Sequence, residues 1–301
     1  MATLSGNVSR LLSGTKGFDT NTPLTGAYAT NLKAAGYSFA MRYVSRSAET
    51  DTDAKKNGNL YIGEAQNILN AGLGLMVIQH VRKGYWSPSA SLGTSDGSAC
   101  AANCKNIGIP SWVSVWCDLE QVQGGSENII AYCNNWDKAV SGASYRSGLY
   151  VGSNCGLTSQ QLYQNLSFSN YWKSASNVPA VEHTGYQMIQ SGTITVSGVE
   201  IDPDTTQTDG NGSTPYILVL KIPFTCDTHS TVTIARGNKY TARISCTSYP
   251  NVVAGTGGIV TTKLESQSGD NYYISFTGVS VGSTGIYING SSSAVFVCKV
   301  V

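Results

Sequence analysis

Two acidic residues separated by a single position are the strongest candidate for chemistry in this chain. Asp118 and Glu120 close the apolar run at residues 115–120, which is typical of a buried β-strand. Because strand side chains alternate between two faces, residues i and i+2 share a face. Two neighbouring carboxyl groups do not both ionise readily, so one of them keeps a proton near neutral pH and can act as an acid. Glycoside hydrolysis needs such a proton donor beside a negative charge.

Three further acidic residues stand at the ends of other predicted strands. Asp19 ends the first predicted strand, and Asp202 and Asp204 end the eighth. In a (β/α)8 barrel the carboxyl ends of the strands surround one opening, where the chemistry takes place. The pattern therefore predicts that these three acids and the Asp118-Glu120 pair converge at one barrel mouth.

Aromatic and amide side chains near the predicted strand ends suit contact with sugars. Aromatic faces can stack on the apolar faces of pyranose rings, and amides can hydrogen-bond to hydroxyl groups. The aromatic candidates are Tyr43, Tyr85, Trp86, Trp116, Tyr150 and Tyr186, of which Trp116 is better explained as barrel core, and the amide candidates are Gln79, Gln187 and Gln190. We predict substrate contacts by Tyr43, Gln79, Tyr150, Gln187, Asp19, Asp202 and Asp204.

One basic residue lies inside an otherwise apolar predicted strand. Arg42 belongs to the run Phe39-Val44 and faces opposite to Tyr43. A charge in such a run is expected to be paired. We predict that Arg42 pairs with a carboxylate at the mouth, holds that acid ionised and contributes to the substrate site.

The elements that would position these residues alternate regularly. The predicted strands are Lys16-Asp19, Phe39-Val44, Leu75-Val81, Val113-Glu120, Ser147-Gly152, Tyr186-Gln190 and Val199-Asp202, with a weaker one near Tyr171-Trp172, and the predicted helices are Leu24-Gly36, Tyr61-Gly72, Gly97-Ile107, Glu127-Val140 and Thr158-Asn165. Strands that alternate with helices predict parallel βα units. We therefore predict an α/β fold, a (β/α)8 TIM-like barrel, at residues 1-207.

The pattern changes after a turn-rich stretch at residues 208-215, which we interpret as a linker. Beyond it, seven short apolar runs separated by Gly, Ser and Asn predict a C-terminal all-β domain at 216-301, of immunoglobulin-like sandwich type. The predicted strands are Tyr216-Ile222, Ser230-Ala235, Tyr240-Thr247, Gly258-Leu264, Tyr272-Phe276, Gly285-Ile288 and Ala294-Val300. We expect this domain to bind cell wall, dock to a larger assembly or stabilise the barrel.

Composition narrows the class of protein. The 301 residues include only 12% charged side chains, with a net charge of +1, which argues against a protein that neutralises nucleic-acid phosphates. No run of apolar residues is long enough to span a membrane, and Met1 to Gly14 lack the pattern of a Sec signal peptide. An uncharged polar surface suits secretion or carbohydrate contact, so we expect an extracellular, cell-wall or phage-associated location.

The eight cysteines and three histidines do not predict a metal site, because no spacing pairs them as ligands. One disulfide, joining Cys226 or Cys246 to Cys298, is compatible with the sequence. The chain also lacks a GxSxG elbow and a phosphate-binding glycine loop. We expect no metal and no cofactor.

Several motifs, in order and spacing, resemble one family. They include Gly17-Phe18-Asp19, Phe39-Ala40-Met41-Arg42-Tyr43-Val44, Val115-Trp116-Cys117-Asp118-Leu119-Glu120, Gly148-Leu149-Tyr150-Val151-Gly152, Gly185-Tyr186-Gln187-Met188-Ile189-Gln190 and Gly198-Val199-Glu200-Ile201-Asp202. Over residues 14–205 the chain resembles the glycoside-hydrolase-like domain of unknown function, which is related to family-25 lysozymes.

The resemblance implies a TIM-like barrel and a bacterial cell-wall glycan as substrate. It implies that Glu120 is the proton donor, that Asp118 stabilises charge or positions the substrate N-acetyl group, and that Asp19 and Asp202 shape the subsite. Where the family-25 pattern usually has another acid, near strand two or three, this chain has Gln79-His80.

Two hypotheses follow. The first is a lysozyme-like glycoside hydrolase, a muramidase of phage or secreted type, that acts on peptidoglycan or another polysaccharide. The alternative is a non-catalytic glycan-binding or structural protein on a decayed hydrolase barrel.

Overall fold

The computed structural model describes residue 4 and residues 6–220, 223–247, 249–291 and 293–301. Residues 1–3 and 5, from the segment expected to lack a Sec signal, and Ile222, the end of a predicted strand, lie outside the described residues. The chain divides into two compact units, residues 10–218 with Leu4, and residues 219–301 with residues 6–9.

The elements up to residue 220 are mixed helices and strands. They are β1 (Gly6–Arg10), β2 (Lys16–Thr20), α1 (Gly26–Ala34), β3 (Phe39–Val44), α2 (Asp51–Lys56), α3 (Ile62–Asn70), β4 (Gly74–Gln79), α4 (Ala90–Ile107), β5 (Ser114–Leu119), α5 (Ser126–Gly142), β6 (Arg146–Val151), α6 (Ser159–Gln164), β7 (Tyr171–Lys173), β8 (Met188–Gln190), β9 (Ile194–Val196), β10 (Val199–Thr206) and β11 (Tyr216–Leu220).

Eight of these strands close into a barrel. In ring order they are β4, β3, β2, β10, β8, β7, β6 and β5, and β5 pairs back to β4. Strands β2 to β8 run parallel to one another around the ring, whereas β10 is antiparallel to both of its neighbours, β2 and β8. Strand β11 pairs with β4 outside the ring. The predicted alternation of strand and helix is confirmed as far as β7, but residues 174–187, between β7 and β8, contain no α-helix.

The direction of the eighth barrel strand differs from the prediction. A parallel crossover needs a dozen or more residues, and only eight residues separate β8 from β10. They form a hairpin instead, in which β9 pairs with β10. The prediction that Asp202 and Asp204 end a parallel strand is therefore wrong. In the antiparallel register Asp202 lies opposite Asp19, and Asp204 lies opposite Gly17.

Four helices around the barrel, α1, α2, α4 and α6, begin at side chains that cap free backbone N–H groups. Thr25, Thr50, Ser89 and Thr158 each accept a hydrogen bond from the first turn of the helix that follows, which stabilises a helix start by about 1 kcal/mol. Helix α4 ends at Gly108, whose left-handed conformation (φ 89°) suits glycine. These local signals fix where α1, α2, α4 and α6 start and where α4 stops.

The second unit is a β-sandwich. Its strands are β12 (Phe224–Cys226), β13 (Val232–Ile234), β14 (Lys239–Cys246), β15 (Val252–Ala254), β16 (Val260–Ser268), β17 (Asn271–Gly278), β18 (Gly282–Ile288) and β19 (Phe296–Val300). They form two four-stranded sheets, ordered β12-β14-β17-β16 and β13-β19-β18-β15. Inward-facing side chains of both sheets share one apolar core, in which Phe276 meets Phe296 edge to face.

All eight cysteine side chains are buried. Cys226 and Cys298 are free thiols, so the disulfide compatible with the sequence is not formed. No helix among the described residues is long and apolar enough to cross a membrane.

Candidate functional site

The interior of the barrel contains the first of the paired acids. On β5, Trp116 is fully buried, as predicted for a core residue, and its ring lies edge to face with Trp172 of β7 at 5.8 Å between centroids. Asp118 follows two positions later on the same strand and lies next to Tyr150 of β6. The period of two in the strand therefore brings Asp118 into the barrel interior, at the carboxyl end of β5.

Asp19 of β2 is held in a buried hydrogen-bond network. Its Oδ1 accepts a hydrogen bond from Tyr43 Oη (2.9 Å), and its Oδ2 accepts one from Gln190 Nε2 (2.7 Å). The Gln190 Oε1 accepts in turn from Tyr150 Oη (2.8 Å). Burial, assisted by the negative charge of Asp202, raises the pKa of Asp19 to about 7 against the opposing effect of these hydrogen bonds. Asp19 is thus part protonated at neutral pH.

Asp118 is the most deeply buried acid of the candidate pair. It is 7% exposed, and its Oδ1 has no hydrogen-bond partner among the described residues. Burial, together with the charges of Glu120 and Asp19, raises the pKa of Asp118 well above its ordinary value. A buried carboxylate without partners is costly, so burial favours the neutral carboxyl form of Asp118.

Glu120 is the accessible member of the pair. It is half-buried just after β5, and within the described residues its carboxylate makes no hydrogen bond and no ion pair. Burial raises the pKa of Glu120. Its side chain passes close to the backbone of β6: a Cβ atom at Gly152 would overlap the Cβ of Glu120 and lie 2.9 Å from its Oε2. Only glycine at position 152 leaves Glu120 this space.

The other two acids predicted for the site have different surroundings. Asp202 is half-buried and accepts a hydrogen bond from Thr193 Oγ1. Asp204 is 1% exposed, and its Oδ1 accepts from Trp172 Nε1 (2.9 Å), while its Oδ2 has no partner among the described residues. Burial, followed by the charge of Asp19, raises the pKa of Asp204 well above its ordinary value. Asp204 is therefore a buried neighbour of Asp19 rather than an exposed ligand for substrate.

His80 follows β4 directly and lies beside Tyr43. The His80 ring stacks on Tyr43 at 4.7 Å between centroids, and its Nε2 lies 2.9 Å from Asn59 Oδ1. Burial, and then the positive charges of Arg42 and Arg46, lower the pKa of His80 to about 4. The ring is therefore neutral at pH 7 and adds no positive charge beside the acids.

The prediction that Arg42 pairs with a carboxylate at the mouth is wrong. Arg42 is fully buried, and its Nε lies 2.6 Å from Oε1 of Glu64 on α3. Its Nη2 also donates to the carbonyl of Gly58 (2.8 Å). The alternation that turns Tyr43 into the barrel turns Arg42 outward, to the layer of helices. Arg42 therefore joins strand to helix and is not part of the substrate site.

Two glutamines predicted to contact substrate are engaged elsewhere. Gln79 donates to the Asp96 carbonyl (2.7 Å) and accepts from the Trp136 indole (2.7 Å), so it contacts the helices outside the barrel. Gln187 precedes β8, at its amino end, and donates to Asp209 Oδ2 (2.7 Å). Both side chains are nearly fully buried. The structure does not bring them to Glu120.

Two residues gain a role that the sequence did not assign. Gln190 connects Asp19 to Tyr150, although the sequence indicated only a general capacity for hydrogen bonding. Gly152 leaves space for Glu120, and the only signal for it was its position at the end of a predicted strand. Both roles depend on contacts between residues that are distant in the sequence.

The arrangement can supply a proton and then stabilise positive charge. The negative charge of Glu120 adds to burial in raising the pKa of Asp118, and burial raises the pKa of Glu120. Asp19, whose pKa is about 7, adds a third group that gives or takes a proton near neutrality. Such a set can protonate a leaving oxygen and leave a negative charge nearby.

The sequence over residues 30–206 matches a family of glycoside hydrolase-like domains. The chain belongs to this family, described as Rv2525c-like, glycoside hydrolase-like domain. The match confirms the predicted glycoside-hydrolase-like family, and the relation to family-25 lysozymes remains a prediction.

Several solved structures are similar to this chain at low identity. An uncharacterized protein of B. stearothermophilus is 15% identical, with a TM-score of 0.46, over 64% of this chain and 96% of that one. The Clostridium perfringens spore cortex lytic enzyme SleM is 12% identical, with a TM-score of 0.45, over 93% of both chains. The modular autolysin LytC from Streptococcus pneumoniae is 13% identical, with a TM-score of 0.42, over 64% of this chain and 46% of that one. The search of curated proteins found no match.

Proposed function

We propose that this protein is a glycoside hydrolase that cleaves bacterial cell-wall glycan, with a lysozyme-like, muramidase activity on peptidoglycan. The observation that carries the proposal is the placement of Asp118 and Glu120 at the carboxyl end of β5, with Glu120 accessible and its carboxylate unpaired within the described residues. Membership of the glycoside hydrolase-like family supports the reaction class.

In this proposal Glu120 donates the proton to the glycosidic oxygen. Burial raises the pKa of Glu120, which favours the protonated form that a general acid needs. Asp118 provides negative charge to the developing oxocarbenium ion, or positions the N-acetyl group of the substrate, once substrate contacts replace the missing partners of its carboxyl group. Asp19, Tyr43, Tyr150 and Asp202 shape the subsite around this pair.

Incubation with purified peptidoglycan, followed by mass analysis of the soluble products, tests this function. The wild-type protein should release fragments with new reducing ends. Glu120→Gln should abolish the release, because an amide cannot donate the required proton, while the circular dichroism spectrum stays that of the wild type. Glu127→Gln, on the exposed first turn of α5, is a matched control and should retain full activity. Release of reducing ends by Glu120→Gln at the wild-type rate would contradict the role of Glu120.

The burial of Asp118 favours a second candidate, a glycan-binding protein without turnover. Burial raises the pKa of Asp118 well above its ordinary value, which disfavours the negative charge that hydrolysis would need from this residue. This candidate predicts that the wild-type protein is retained on peptidoglycan and releases no fragments. The same incubation therefore separates the two functions.

We also infer a domain organisation: a TIM-like barrel domain at 1-207, a linker at 208-215 and an immunoglobulin-like domain at 216-301. Residues 214–301 carry six basic and three acidic side chains, and this net charge of +3 favours contact with an anionic wall polymer. An extracellular, cell-wall or phage-associated location suits a polysaccharide partner.

A further inference from the structure

The loop between β4 and α4, residues 80–89, contains a strained and exposed aromatic residue. Tyr85 has a φ of 60°, in the left-handed region that tyrosine rarely adopts. Its side chain is 73% exposed, so it contributes little to the core. The exposed ring adds little to the stability of the fold, and backbone strain of this kind is commonly found at ligand sites.

Backbone hydrogen bonds attach this loop to the segment that carries Glu120. The Tyr85 N–H donates to the carbonyl of Gln121 (2.6 Å), the residue after Glu120. The Trp86 indole N–H donates to the carbonyl of Glu120 itself (3.0 Å), and the Gln123 N–H donates to the carbonyl of Trp86 (2.9 Å). Tyr85 is thus fixed within one residue of the proposed proton donor.

Side chains at both ends of the loop restrict its movement. Arg82 Nη2 lies 2.6 Å from Oδ1 of Asp96 on α4. Tyr132 of α5 donates to the other oxygen of Asp96 (3.1 Å), and its ring meets the buried ring of Trp86 edge to face at 4.9 Å. Gly84 lies against the side chain of Gln121, whose Oε1 a Cβ atom at position 84 would overlap, so the loop also contacts the Glu120 segment there.

We propose that Tyr85 is a saccharide-stacking residue, which binds a pyranose ring of the glycan next to Glu120. The inference rests on the proposed function and adds to it a subsite for one sugar of the glycan substrate. An exposed aromatic face matches the apolar C–H face of a pyranose. Because the loop is held at both ends, the ring is placed before the substrate arrives, and binding loses little entropy.

The test measures retention on insoluble, protein-free peptidoglycan sacculi, with every variant made in the Glu120→Gln background so that the sacculi are not degraded. Tyr85→Gly and Tyr85→Ala should weaken the apparent Kd about tenfold, as expected for loss of an aromatic stacking contact. Tyr85→Phe, which keeps the ring, should bind within about twofold of the parent. The melting temperature of Tyr85→Gly should equal or exceed that of the parent, because glycine relieves the strain.

The chain offers a matched control at Trp112. This residue is also exposed (63%) and left-handed (φ 72°), but it precedes the amino end of β5, at the opposite end of the strand from Glu120. Trp112→Gly should leave retention unchanged. Unchanged retention in Tyr85→Gly, or an equal loss in Trp112→Gly, would overturn the subsite.

The subsite and the hydrolase function can fail separately. If the protein with Glu120 intact releases no fragments, yet Tyr85→Gly loses retention, the subsite stands and the hydrolase proposal fails. If that protein hydrolyses sacculi and Tyr85→Gly neither loses retention nor slows turnover, the hydrolase proposal stands and the subsite fails. Absence of any retention in the Glu120→Gln parent would overturn the subsite.

Discussion

The unfolding free energy of Asp19→Asn, taken relative to that of the wild type, should be higher at high pH than at low pH. The carboxyl group of Asp19 is buried, and its pKa rises from 3.8 to about 7 on folding. The native state therefore binds the proton more tightly than the unfolded chain. Wild-type stability from this group is fully present below about pH 4 and is lost as the pH rises through about 7.

The magnitude follows from the same two pKa values. Each pKa unit corresponds to about 1.36 kcal/mol, so the rise from 3.8 to about 7 represents about 4 kcal/mol of stability that ionisation removes. Asparagine carries no charge at either pH. The free energy of unfolding of Asp19→Asn, relative to the wild type, should therefore increase by up to about 4 kcal/mol between about pH 4 and about pH 8.

Tryptophan fluorescence during urea unfolding is the suitable assay. The five tryptophans of the chain all lie between residues 86 and 172, so their signal reports the barrel unit alone. Asparagine also changes the hydrogen bonds to Tyr43 and Gln190. The pH-dependent part of their effect is already contained in the pKa of Asp19, and the part that does not depend on pH cancels in the difference. A change in unfolding free energy that is equal at both pH values would refute the raised pKa of Asp19.

Two further substitutions test the packing of the barrel and the space around the proton donor. Arg42→Met should destabilise the barrel by about 3–5 kcal/mol, because it leaves the fully buried Glu64 carboxylate without its charged partner. Arg42→Lys keeps the positive charge, so it should lower the unfolding free energy less in the same urea titration. An equal loss in both variants would show that the charge of Arg42 contributes nothing. Gly152→Ala should lower the rate of fragment release at least about tenfold by displacing Glu120, whereas Gly192→Ala, which has no atom within 4 Å of the added Cβ, should keep the wild-type rate. Equal rates for the two alanine variants would contradict the steric argument.

The period of two along the strands was sufficient to predict part of the site. It oriented Asp118 and Tyr43 into the barrel, because a barrel wall has only an inner and an outer face. The same rule placed Arg42 on the face opposite to Tyr43, but the predicted partner at the mouth was wrong, because the sequence alone does not show that Glu64 of α3 lies on the outer side. The partner of a buried charge depends on which helix packs over the strand, and that is a property of the tertiary structure.

The direction of β10 was not predicted, although the sequence contained the information. Eight residues between β8 and β10 are too few for a parallel crossover, and this spacing could have indicated a hairpin. By contrast, the role of Gln190 could not be predicted, because it contacts Asp19 across 171 positions of sequence. The contact of Tyr85 with the segment after β5 likewise joins residues that are distant in the sequence.

The antiparallel strand β10 also has a consequence for folding. Asp19 lies on the first strand of the ring, and its neighbours Gln190 and Asp202 lie on the last two. The environment of Asp19 therefore comes into being only when the two ends of the barrel sequence meet, a contact of high sequence separation that forms slowly. During synthesis, a chain whose residues 188–206 have not yet left the ribosome already contains the Asp118-Glu120 segment, but it lacks the contacts of β8 and β10 with Asp19. The barrel closes and the site is completed in the same step. The raised pKa of Asp19 should therefore appear only once that step has taken place.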